Sequence, residues 1–308
     1  MSMNHSLPFA RLLPASLAIA GTLCLAAPDA RAQQAFPSAD EAASALAAAV
    51  KSGTRREVLR VLGSGGEDII SSGDEVADKE ARERFAAAWD AKHSIKPEGD
   101  KKAVMILGND DFPFPIPLAK TKAGWEFDTA AGRLEILYRR IGRNELDAIQ
   151  TCLAFVDAQN EYAEKDRGQG PGVYAQRIVS TKGKKDGLYW PGDDSPLGEL
   201  AANASAEGYK VGEGPIPYHG YYYRVLTQQG PNAPGGTLSY VVKGKMIGGF
   251  ALLAWPAEYG NSGVMTFLVN HSGVVYQKDL GDYTSKLVRR MNWFDPDQTW
   301  KKVDTSSK

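Results

Sequence analysis

The densest run of side chains with chemical capacity is Tyr218-His219-Gly220-Tyr221-Tyr222-Tyr223-Arg224. Tyr189 and Trp190 lie upstream of it, and Trp255 and Tyr259 downstream. Aromatic faces stack on sugar rings or peptides, and a guanidinium takes an anionic group through paired hydrogen bonds. Tyr189, Trp190, His219, Tyr222, Arg224, Trp255 and Tyr259 are therefore the candidate binding residues. On a strand, Tyr221, Tyr223 and Val225 share one face while Tyr222, Arg224 and Leu226 share the other. One face is expected in the core, the other as a partly exposed Tyr–Arg surface. Cross-strand tyrosine pairs also stabilise sheets without any ligand, so the cluster has a purely structural reading too. A second group, Arg139, Arg140 and Arg143, places two arginines four apart on one helix face if Gly142 does not break the helix. It could clasp an acidic partner, face solvent, or form an inter-domain ion pair.

Other chemistries find little footing. His93, His219 and His271 are far apart, with no His-x-x-x-His pair and no Cys-x-x-Cys, so no metal and no cofactor is expected. Asp110-Asp111 and Asp193-Asp194 are adjacent carboxylates that turn polarity explains as well as a hard cation would. Gly260-Asn261-Ser262-Gly263 is one residue short of a nucleophile elbow and reads as a turn. Gly168-x-Gly170-x-Gly172 contains Pro171 and precedes no convincing helix, so it is not a phosphate loop. No catalytic residue is assigned. A hydrolase would have to gather distant groups around His219, Asp193 or Glu258 in a concave pocket. The 36 basic and 37 acidic residues leave a net charge of −1. That gives no electrostatic footprint for nucleic acid and no polybasic membrane patch.

The elements that must position these residues begin after a leader. Arg11 precedes an apolar run, Leu12 to Ala27, and Ala30-Arg31-Ala32 supplies small residues at −3 and −1 of a cleavage site. This is the plan of a secretory signal peptide covering residues 1–32. Cleavage after Ala32 would leave no integral membrane anchor and a periplasmic or secreted address. Cys24 follows Leu23 inside the apolar run and does not fit lipid attachment. Cys152 is then the remaining cysteine, a small buried hydrophobe.

An N-terminal α+β domain is expected over 33–142. Ser38-Ala39-Asp40-Glu41 and Thr54-Arg55-Arg56-Glu57 fit capping boxes, and Gly53 and Gly63 end the two helices. A third helix is expected from Asp78 to Lys92, then a polar break over Lys96–Asp100. Strands follow at Ala103–Leu107, Ile116–Lys120 and Gly124–Phe127, an element order similar to cystatin-like domains. A C-terminal α+β domain is expected over 143–308. Gly142 marks a break between a helix over Thr129–Ile141 and a second one capped near Asn144 and Asp147. The second helix has a wide apolar face including Leu146, Ile149, Leu153 and Val156, and should be gripped on two sides. A short helix at Ser195–Glu207 follows. Strands are expected at Tyr221–Thr227, Leu238–Val242, Ile247–Ala254, Val264–Asn270 and Val274–Lys278, and a last short helix at Thr284–Met291. The fold class is α+β with antiparallel sheets. A long helix feeding such a sheet resembles the pilin plan, although the apolar assembly helix of pilins is absent.

Several segments carry a closer resemblance: Arg139-Arg140-Ile141-Gly142-Arg143-Asn144-Glu145-Leu146, Asp186-Gly187-Leu188-Tyr189-Trp190-Pro191 and Ser195-Pro196-Leu197-Gly198. His219-Gly220-Tyr221-Tyr222-Tyr223-Arg224 and Ala254-Trp255-Pro256-Ala257-Glu258-Tyr259-Gly260 extend it. With these the chain resembles a family of exported bacterial proteins, domain of unknown function 2950, over nearly all residues beyond the leader. The resemblance implies a bacterial source and an extracytoplasmic address, and brings no reaction or substrate. The expected role is a non-enzymatic periplasmic binding or envelope-associated factor whose partner is a protein or an envelope polymer. The alternative is a periplasmic hydrolase acting on such a polymer.

Overall fold

A computed structural model describes residues 33–192, 194–210 and 216–305. The expected leader and Asp193 lie outside these. The fold is α+β, with antiparallel sheets.

Helix α1 (Ala39–Ser52) starts where the Ser38 hydroxyl accepts the Glu41 N–H at 3.1 Å and stops at Gly53, in the left-handed region at φ +67°. It buries an alanine-rich side with Leu46 at its centre. Helix α2 (Arg55–Leu62) turns Val58, Val61 and Leu62 inward. The expected capping box at Thr54 does not form, because the Thr54 side chain makes no bond to the helix amides. After α3 (Glu67–Ile70), α4 (Glu75–Ala91) begins three residues earlier than the sequence suggests, capped by Asp74.

Strands β1 (His93–Pro97), β2 (Lys102–Leu107), β4 (Leu118–Lys120) and β5 (Trp125–Phe127) pair in that order, with β3 (Phe112–Pro113) on β2. The expected polar break over 96–100 is partly strand β1. Its side chains are exposed apart from half-buried Ile95, so no apolar alternation marks it. The first core gathers between this sheet, α1 and α2, around Leu46, Met105, Ile116, Leu118 and Phe127.

Helix α5 (Thr129–Glu164) is one helix of 36 residues, so the expected break at Gly142 is absent. A glycine inside a helix costs about 1 kcal/mol. Packing on both sides of it outweighs that cost: Leu137 is buried before it, and Asn144, Ala148 and Cys152 after it. Asn144 is not a cap; its amide donates to the Ser262 carbonyl at 2.9 Å. Leu146, expected on the gripped face, is 65% exposed. It lies nine residues, or two and a half turns, from both Leu137 and Phe155, and so on the opposite side. The buried side runs through Leu137, Ala148, Cys152, Phe155, Gln159 and Tyr162. Burial raises the Cys152 thiol to about 12, which keeps it an inert core group.

The larger sheet has the order β14 (Lys301–Lys302), β13 (Val275–Asp279), β12 (Met265–Asn270), β11 (Ala251–Pro256), β6 (Tyr221–Leu226), all neighbours antiparallel. It packs on the second half of α5 to form a second core around Phe155, Phe250, Leu253, Phe267 and Phe294. Short pairs β7 (Gln228–Gln229) with β8 (Leu238–Ser239), and β9 (Val241–Val242) with β10 (Lys245–Met246), lie beside it. The expected strand over 238–242 is split at Tyr240, which turns into the core and donates to Gln229. The expected strand from Ile247 begins only at Ala251, because Gly248 and Gly249 (φ +133°) redirect the chain. Helix α6 (Gly198–Glu207) starts after Ser195, whose hydroxyl is engaged with Trp190 N–H and the Leu188 carbonyl. Helix α7 (Thr284–Leu287) is followed by a single 3-10 turn. No described helix is long and apolar enough to cross a membrane.

A polar seam joins the two cores. Arg140 donates to the Asp68 carbonyl at 2.6 Å and to the Asn261 amide oxygen at 2.5 Å, and Asn261 donates to the Ser71 carbonyl at 2.8 Å. Asp74, 1% exposed, accepts from the Tyr209 hydroxyl at 2.8 Å and the Gly220 amide at 2.9 Å.

Candidate functional site

Strand β6 is an edge of the larger sheet, and an uncovered edge invites pairing with other chains. Helix α6 and the segment over residues 178–189 cover it, leaving a cavity of about 350 Å³. Neighbouring residues on a strand point to opposite faces, yet both Tyr222 and Tyr223 line this cavity. The cavity therefore wraps round the strand edge. Tyr222 stands with Trp255 on one face of the sheet, and Tyr223 with Leu252 on the other. Leu197, Leu200, Ala201 and Ala204 of the α6 region form the roof, and Phe155 and Thr151 of α5 the floor.

The walls are mostly apolar and aromatic, with Thr151 and Lys210 also among the lining residues. Burial pushes the Tyr223 phenol well above its ordinary range. Its hydroxyl lies buried beside Thr151 without a hydrogen bond of normal geometry, so it is a neutral donor with unused capacity. Burial also raises Tyr218, on the wall near the rim, to about 12.

Of the seven candidates from the sequence, Tyr189, Tyr222 and Trp255 meet in this cavity. Trp190 does not. It is buried against Tyr162, bonds Asp194 through its indole N–H at 2.8 Å, and carries Arg167 and Lys185 over its ring. Arg224 is not an exposed anion clasp either. Its guanidinium lies over the Trp255 ring, 5.6 Å from the centroid, and donates to the carbonyls of Val288 and Met291. It therefore ties the turn after α7 to the sheet. Tyr259 sits in a loop away from the cavity, its phenol raised by burial and by Asp279.

His219 is held just outside the cavity, at φ +48°. Its Nδ1 is 2.8 Å from Asp147 of α5 and its Nε2 is 2.8 Å from Glu207, the last residue of α6. Burial opposes the imidazolium charge, but the two carboxylates outweigh it and raise His219 to about 9. A histidine bonded at both nitrogens has no free nitrogen to take a substrate proton. It acts instead as a charged clamp between α5 and the roof helix. Glu258 accepts from Asn261 at 2.8 Å on the seam, away from the cavity. Among the described residues, no three of His, Cys, Asp and Glu group as a metal site.

The arginine group divides three ways. Arg139 pairs with Glu135 and covers Phe112, Arg140 is committed to the seam, and Arg143 borders a wider concavity of about 870 Å³ between α4 and α5. Glu75, Asp78 and Asp110 line the same concavity, so it presents no field of a single sign.

The family model of a protein of unknown function (DUF2950) matches residues 33–303. The chain belongs to this family. No curated protein and no solved structure matches it. In this DUF2950 chain, the segments around Tyr189, Tyr222 and Trp255, distant in sequence, all converge on the cavity. Sequence reasoning missed Tyr209, Tyr223 and the α6 roof. Leu197, Leu200, Ala201 and Ala204 recur at helical spacing, which marks an inward face but not a cavity beneath it.

Proposed function

We propose that the protein is an exported, non-enzymatic binding protein that holds a small, largely apolar ligand, or one apolar group of a larger partner, under α6. The observation that carries this reading is the cavity itself: mostly apolar and aromatic, about 350 Å³, and lined by Tyr189, Tyr222, Tyr223 and Trp255. Such a site lies within the size range of small-molecule pockets, about 300–1,000 Å³. The groups a hydrolase would need support the reading by their placement. His219 is bonded on both sides and Glu258 is on the seam, so neither faces the cavity.

Titration with N-phenyl-1-naphthylamine, a neutral apolar fluorophore, tests the site. Saturable 1:1 binding is expected, and Ala204→Trp should abolish it by filling the roof while far-UV circular dichroism is unchanged. Leu200→Trp provides a second filling variant. Equal binding by wild type and a folded filling variant would overturn the reading.

Export rests on Arg11, the apolar run that follows it and the Ala30-Arg31-Ala32 site. Material recovered from outside the cytoplasm should begin at Gln33. Recovery with Met1 intact would count against cleavage.

A further inference from the structure

The segment over residues 283–293 is pinned to the larger sheet, yet it turns its large side chains to water. Thr284 and Val288 are 1% exposed and Phe294 is fully buried, so the segment is anchored from beneath. Arg224 fixes it at two further points, the carbonyls of Val288 and Met291. Around these anchors Tyr283, Leu287 and Trp293 are 66%, 41% and 45% exposed. Leu287 follows Tyr283 by one helical turn, so the two lie on one side. A backbone held in this way cannot fold those side chains back into the core. Scattered exposed apolar residues are ordinary, whereas three large ones in one short anchored segment mark an interaction surface.

The charges among them are mostly positive. Lys286, Arg289 and Arg290 are exposed, and Asp282 is the one acid between 281 and 294. Lys286 lies over the Tyr283 ring, 5.4 Å from its centroid. Among the described residues Arg289 and Arg290 have no hydrogen bond and no ion pair. The nearby acids are turned elsewhere. Asp279 and Asp282 lie towards Tyr259, whose phenol is raised by burial and by their charges, and Asp295 accepts from the Asn232 amide at 2.7 Å.

We infer that this segment is a peripheral docking surface for an anionic lipid bilayer. Trp and Tyr favour the bilayer–water interface, where the ring meets the acyl boundary and its polar edge stays wet. Leu287 has no polar atom to satisfy there. Basic residues beside them are drawn to anionic headgroups, each adding about fivefold to affinity. The unpaired guanidinia of Arg289 and Arg290 keep their full capacity for paired bonds to phosphate oxygens. A soluble acidic polymer would match the charges but leave Leu287 and Trp293 in water; an anionic bilayer meets both demands at once. The net charge of −1 over the whole chain conceals this local excess, so composition alone does not show it. None of these residues lines the α6 cavity, and the inference does not depend on the proposed ligand.

The test is cosedimentation with vesicles, using the chain from Gln33 onward, which contains both cores and lacks the apolar run over 12–27. It should sediment with phosphatidylglycerol vesicles and not with phosphatidylcholine vesicles, and added salt should release it. Arg289→Glu combined with Arg290→Glu changes exposed side chains alone. That variant should keep its far-UV circular dichroism and bind the vesicles about tenfold or more weakly. Tryptophan emission should shift to the blue on binding as Trp293 leaves water, and Trp293→Phe should remove that shift. A wild type that stays in solution with phosphatidylglycerol, or a double variant that sediments equally well, would overturn the inference. So would a blue shift that survives Trp293→Phe. Association with soluble polyglutamate and not with vesicles would assign the surface to an acidic polymer and overturn it too.

Discussion

Tyr222 and Trp255 face each other across β6 and β11 in register, their ring centroids 5.7 Å apart and tilted by 35°. This pair satisfies both readings of the aromatic cluster. It is a cross-strand contact that stabilises the sheet edge, and it is also a cavity wall. Because the pair faces the cavity rather than solvent, its fluorescence should report occupancy. Tyr222→Ala is expected to weaken N-phenyl-1-naphthylamine about tenfold, since one aromatic contact contributes on the order of 1 kcal/mol beyond its buried area. Trp255→Phe should keep binding and remove the ligand-dependent change in tryptophan emission. An unchanged emission response in Trp255→Phe would place the ligand elsewhere.

The His219 clamp makes stability depend on pH in a stated direction. Its folded value of about 9 lies above the unfolded value of 6.5. The extra stability is therefore fully present below about pH 6.5 and is lost as pH rises through about 9. The shift corresponds to about 3 kcal/mol at most. Solvent screening reduces it to about 2 kcal/mol, because the three side chains are 26%, 37% and 35% exposed. In urea unfolding, the gap between wild type and His219→Gln should be widest near pH 6 and shrink towards pH 9.5. A gap constant over that range would mean that charge on His219 contributes nothing.

Asp74 should be the most sensitive single position of the seam. Its carboxylate caps α4 through the Ala77 amide at 3.1 Å and accepts from Tyr209 and Gly220 across the two cores. Asp74→Ala leaves these donors without a partner at a buried site, a loss of about 3 kcal/mol. Asp74→Asn, which keeps one acceptor oxygen, should fall between wild type and alanine. The thermal midpoints of the three proteins check that order.

What the sequence discloses here follows from which forces are local. Ser38, Gly53 and the α2 apolar pattern act within a few residues, so the first helices are legible. The strand β1 is not, because its partner β2 holds it through the backbone and its own side chains face water. Tyr189, Tyr222 and Trp255 are recognisable as aromatic chemistry, and the cavity does bring them together. The fates of Trp190 and Arg224 depend on Asp194, Val288 and Met291, contacts that no spacing rule supplies. His219 attracts notice as a lone histidine, but only the fold brings Asp147 and Glu207 to its two nitrogens, across separations of 72 and 12 residues.

Gly142 shows the same division between local and tertiary control, and it yields the sharpest stability prediction. Local propensity makes it a helix breaker, whereas packing of Leu137 and Asn144 on either side carries α5 straight through it. A methyl group at this position meets nothing in the chain. Gly142→Ala should thus stabilise a single chain by about 0.5–1 kcal/mol through helix propensity and a less flexible unfolded state. A raised thermal midpoint would mean that the glycine serves no internal contact. A lowered midpoint would mean that α5 needs the glycine for its own folding.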